Sequence, residues 1–295
     1  MAIISLILGG CGGSTAAGPK LATVTTTAAD SVTRAPAPAD PSTTTPGATE
    51  PVRTATTSTA RRTVPSTRAP ARVTTTGPPS PTTVLVPACP PTLANQLAST
   101  GGASQLVTVD AASNASTTAA VMLWQRTGRC WTVVAGPWTA HIGIRGLSSH
   151  HREGDGTTPT GSFGVLPVAY GVGPNPGVQF PYHQLVCGDW WDEDPASPQY
   201  NTFQHVACGT TPSFGGASEE LWKATTAYRS LIVLDYNTHP VIAGAGSGIF
   251  VHNDLGHGTN GCVSLQPSQL DLLLRWLQPN QARLVIGAEA DIRRF

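Results

Sequence analysis

From residue 105 onward, apolar and polar positions fall into short runs with a period of two, punctuated by glycine and proline. Residues 105–110 alternate as a half-buried strand does, and 119–125 repeat the pattern. Arg126-Thr127-Gly128-Arg129 carries a turn signal, and 130–135 return as the partner strand. Residues 138–144 predict a further strand, 230–236 a buried one, and 248–251 another that ends at His252. Residues 283–287 close the series. A period near 3.6 begins at Pro267, where Leu270, Leu273, Leu274 and Leu277 fall on one face behind a proline suited to a first helical turn. Many short strands and one C-terminal helix predict a mainly β domain.

Upstream the pattern vanishes. Residues 12–88 are rich in Thr, Pro, Ala and Ser, and no aromatic residue or histidine precedes Trp124. Such a segment has too little apolar area to offset chain entropy, so a disordered tether is expected there. As a flexible coil it would reach on the order of 50 Å. The folded domain is expected over 89–295. Residues 1–11 place a short apolar run before Leu8-Gly9-Gly10-Cys11, which looks like a bacterial lipobox with Cys11 as the lipidated residue. No basic residue precedes that run, so the signal is imperfect. A zero formal net charge offers nothing to nucleic acid, and no apolar run is long enough to span a bilayer.

Six cysteines divide unevenly. Setting Cys11 and Cys262 aside leaves Cys89, Cys130, Cys187 and Cys208, an even set that allows three pairings in an exported protein. The favoured pairing is Cys187 with Cys208, closing one long loop, and Cys89 with Cys130, stapling the domain's entry to its first hairpin. Zinc is the rival reading, but the set holds no Cys-x-x-Cys pair. Cys262 differs from them all. It ends a glycine-rich loop that begins at a strand-borne imidazole, His252. A nucleophilic thiol needs that arrangement, because the sulfur must lose its proton to attack.

The stretch from Ser247 to Leu265 resembles the signature of the L,D-transpeptidase (YkuD-type) family. Its box reads Thr259-Asn260-Gly261-Cys262, with Asn260 where that family usually carries histidine. A second family-like box, Gly154-Asp155-Gly156-Thr157-Thr158-Pro159-Thr160-Gly161-Ser162-Phe163, lies upstream in the expected order. The resemblance implies a β-sandwich catalytic domain in a bacterial lipoprotein, with Cys262 as nucleophile and His252 as proton donor and acceptor. It implies cross-linking of peptidoglycan stem peptides at the third-residue diamino acid through a cysteine acyl-enzyme. Gly261 and Asn260 are expected around the oxyanion, since glycine lets backbone amides approach a carbonyl.

Other readings stay open. Hydrolysis alone, an L,D-carboxypeptidase, uses the same thiol. A non-catalytic wall-binding module would instead rely on residues 186–215, expected as a loop insertion with Trp190 and Trp191 at a binding edge. The acids Asp189, Asp192, Glu193 and Asp194 crowd that one loop and do not face each other across a cleft as glycosidase carboxylates must. His257, flanked by glycines, is expected at the substrate rim rather than on a metal. No metal, no cofactor and no nucleic-acid partner is expected. The protein is expected as a monomer anchored by lipid to the outer face of the cell membrane and reaching into the wall.

Overall fold

A computed structural model of the chain describes residues 88–295. Cys11 and all but the last residue of the expected tether lie outside the described residues. The period-two segments build one sheet of ten strands. Gln105–Ala111 pairs antiparallel with Thr118–Thr127 and parallel with the C-terminal Ala282–Ala288, which brings the two ends of the domain together. The strands expected at 130–135 and 138–144 are one, Cys130–His141. Gly136 and Pro137 sit inside it, and register shifts against Thr118–Thr127 between Val121 and Trp124 absorb them as a bulge.

The sheet curls because of how its ends are wired. Gly161–Phe163 lies at one end of the strand order and Val165–Gly171 next to the other, yet only Gly164 separates them in the chain. Such a sheet must bend round on itself, so the expected sandwich is realised as two faces of one curled sheet. The helix Pro267–Trp276 begins at the expected proline, and its Leu270, Leu273 and Leu274 share an apolar core with Val251, Val263 and Leu265. A second, short helix, Leu93–Gln96, lies at the domain's entry. Both favoured disulfides are present, Cys89 with Cys130 and Cys187 with Cys208.

The loop expected at 186–215 is in part a small sheet. Asp189–Asp192 pairs with Thr202–His205 on one side and with Glu219–Glu220 on the other. Its anchor is the buried Asp189, which accepts from the Val186 N–H at 2.8 Å and meets His183 and His205 at 2.8 and 2.6 Å. Burial alone would raise that carboxyl's pKa, but these hydrogen bonds outweigh it and hold the group ionised. The expectation for Trp191 is corrected here. Its side chain is 2% exposed, its Nε1–H donates to Asn201 Oδ1 at 3.0 Å, and its ring meets Phe250 edge-on. It is a core residue, because a ring that large on the inner face of the small sheet fills the space above the main one. Trp190 packs edge-on against both Phe214 and Trp222 rather than beside Cys262.

Candidate active site

Phe250–Asn253 and Val263–Leu265 run side by side and parallel, with His252 opposite Ser264. Side chains alternate along a strand, so Cys262, two positions before Ser264, shares the face that carries His252. Both line one cavity of about 280 Å³, with His257 at its exposed rim. The loop between the strands is fixed at its start by Asp254, which binds His141 Nδ1 at 2.7 Å and accepts from Ser264 Oγ at 2.9 Å. At its far end Gly261 has a φ of 149°, and an added Cβ would lie 3.1 Å from the Thr157 carbonyl in the upstream box. The two boxes thus approach each other closely at this glycine.

Cys262 is the free cysteine among the described residues. Its thiol donates to the Gly248 carbonyl at 3.3 Å, and its sulfur accepts the Phe250 N–H at 3.3 Å. The thiol is thus held by the start of the histidine strand and the backbone just before it. Burial pushes its pKa above the ordinary thiol value; the Glu219 carboxylate adds to this, the Phe250 N–H opposes it, and Glu193 adds again. The resting thiol is protonated.

His252 is suited to take that proton. Its Nδ1 lies 2.8 Å from the Asn253 carbonyl, an acceptor, so Nδ1 carries the hydrogen and Nε2 keeps its lone pair. Burial lowers the ring's pKa against smaller opposing effects from the Asn253 carbonyl and Asp254, which keeps it neutral. Tyr228 braces the ring edge-on at 5.6 Å between centroids. Gly261 N–H is engaged within the loop, donating to Thr259 Oγ1 at 3.2 Å, while Thr259 Oγ1 donates to the Cys262 carbonyl at 2.6 Å. The expected contribution of Gly261 to an oxyanion site therefore requires the loop to yield that bond.

A second cavity, of about 210 Å³, opens on the other side of the thiol. Glu153, Glu193 and Glu219 line it, and Asn260, Cys262 and Glu219 line both cavities. Sequence reasoning gave Glu153, Glu219 and Tyr228 no role. They stand far from Cys262 along the chain and belong to no periodic pattern, so no local signal marks them.

A thiol and a neutral imidazole delivered to one cavity by parallel strands define a class of protein with the parts for thiol acyl chemistry. Residues 106–286 match the family model of the L,D-transpeptidase catalytic domain, YkuD. The chain belongs to that family. No curated protein matches it. A solved structure of Bd1075 from Bdellovibrio bacteriovorus aligns with a TM-score of 0.32 at 14% identity, over 65% of this chain and 50% of that one. The chain thus spans half the length of that protein.

Proposed function

We propose that this protein is a peptidoglycan L,D-transpeptidase that works through a cysteine acyl-enzyme, tethered by lipid at Cys11 on the outer face of the membrane. The observation that carries the reading is the pairing at one cavity of an unbridged thiol, Cys262, with a neutral His252 whose Nε2 lone pair is uncommitted. His252 takes the thiol proton as the sulfur attacks the carbonyl of a stem peptide's third residue. The C–N bond to the terminal D-alanine breaks, and the imidazolium returns the proton to the departing amine. An amine from a neighbouring stem then attacks the thioester. The C–S bond breaks, a peptide bond forms, and the amine's proton restores the thiol through His252. Water in place of the amine gives hydrolysis.

Mass spectrometry after incubation with a tetrapeptide stem or a carbapenem tests this reading. An acyl adduct is expected on Cys262 and absent from Cys262→Ala; the same adduct on Cys262→Ala sinks the proposal. Product analysis with and without an acceptor amine separates transfer from hydrolysis. Wall binding by wild type and Cys262→Ala alike, with turnover by neither, would leave a binding module.

A further inference from the structure

We propose that the apolar triplet Val84-Leu85-Val86, just ahead of the described residues, docks as an added strand on the open edge of Cys130–His141. Its leucine enters the groove between that edge and the helix Pro267–Trp276. The proposal is independent of the acyl-transfer reading.

The edge is open over most of its length. Cys130–His141 pairs along one side with Thr118–Thr127. On its other side Val263–Leu265 meets it at a single pair, Ser264 with His141. Trp131 shows which way the backbone groups turn. Its N–H donates to Asn95 Oδ1 at 2.8 Å and its carbonyl accepts from Asn95 Nδ2 at 3.2 Å, so both face away from Thr118–Thr127. These directions alternate along a strand, so the N–H and carbonyl of Val133 face the open edge as well. Among the described residues no strand pairs with Val133 there. An edge of that kind is a template for a further strand.

The surface beside it is aliphatic. Val133 is 52% exposed and Val134 42%. Val134 lines a groove of about 520 Å³ together with Leu272 and Trp276 of the helix. Leu272 is 43% exposed, whereas Leu270, Leu273 and Leu274 are buried in the core. An extended segment with aliphatic side chains fits both the ladder and the groove.

The chain carries such a segment at the right place. Through residues 12–88 every other valine or leucine stands without another beside it, and Val84-Leu85-Val86 is the exception. Its two β-branched residues suit a strand. The Cys89–Cys130 bridge, with Cα atoms 5.4 Å apart, sets the incoming chain beside the first residue of the open strand. Val86 lies three residues before Cys89 and Val133 three after Cys130, so an antiparallel return from the bridge brings the two level. Leu85 then comes level with Val134 at the groove. Pro87 falls opposite Thr132, whose backbone groups turn toward Thr118–Thr127, so the N–H that proline lacks costs no ladder bond. A covalent guide also gives the triplet a local concentration that a separate molecule does not have.

Amide exchange in the full-length protein, followed by NMR, tests the docking. The Val133 and Val86 amides are expected to exchange about tenfold or more slowly in wild type than in Leu85→Asp. The amides of Leu284, Val285 and Ile286, buried in the core, should be alike in both and report that the fold is kept. Leu272→Ser gives a second reading from the helix side without touching the triplet, and should speed exchange at the same two amides. Val133 exchange that is the same in wild type, Leu85→Asp and Leu272→Ser overturns the proposal, whether fast or slow in all three. Protection of Val133 that survives Leu85→Asp and grows with protein concentration would give the edge to a second copy of the chain, and overturns it too.

Discussion

At the scale of single residues, one cavity holds a reluctant thiol and a ready base. Cys262 is held protonated by burial and by Glu219, whereas His252 is held neutral by burial. Under the proposed acyl transfer, reaction starts from thiol and imidazole, and the ion pair forms only as the substrate arrives. Glu193 carries a cost of the same kind. Burial, followed by the charges of Glu219, Glu153 and Asp192, pushes its pKa up to about 9. A carboxyl whose folded pKa is raised binds more protons folded than unfolded, so stability is lost as pH climbs from the ordinary carboxylate range toward that value. Glu193→Gln is therefore expected to melt close to wild type in mild acid. At about pH 9 it should melt several degrees higher than wild type. Melting curves across pH check it, and a gap that shrinks as pH rises would contradict the assignment.

At the scale of elements, the cavity wall depends on the small sheet. Glu219 is in its edge strand, Glu193 follows its central strand, and the Cys187–Cys208 bridge closes it across a separation of 21 residues. A loop of that length is worth about 3 kcal/mol of chain entropy in the unfolded state. Replacing both cysteines with alanine should lower the melting temperature by roughly 6–12 °C. It should also slow acylation of Cys262 by a tetrapeptide stem, while Cys89→Ala with Cys130→Ala should spare that rate. Acylation unaltered by loss of Cys187–Cys208 would show that the bridge does not position the wall. This sheet is also where the sequence was hardest to read. The main strands announced themselves by alternation, and the helix by the spacing of Leu270, Leu273, Leu274 and Leu277, because each faces one core across one period. Asp189 to Asp192 hides its strand, since its buried carboxylates are satisfied by His183, His205 and Ser197 from elsewhere in the chain. Cys262 and His252 were legible because the loop joining them is short; Glu153 was not, because only the curled fold brings it to the sulfur.

At the scale of the whole domain, the curl of the sheet sets what surrounds the thiol. The segment from Gly161 to Gly171 runs from one end of the strand order to the neighbourhood of the other, and the upstream box that precedes it is drawn against Gly261. The result is a sulfur flanked on both sides: by acids with Glu153 and Glu193, and by imidazoles with His252 and His257. Asn260 stands at the junction, lining both. That position is a threshold between rooms, unlike a dead-end pit where one guest must leave before another enters. Two small blockers, one seated on the Glu193 side and one on the His257 side, should occupy the protein together. Plotted in combination, their inhibition should multiply; strict mutual exclusion would mean that the two rooms are one.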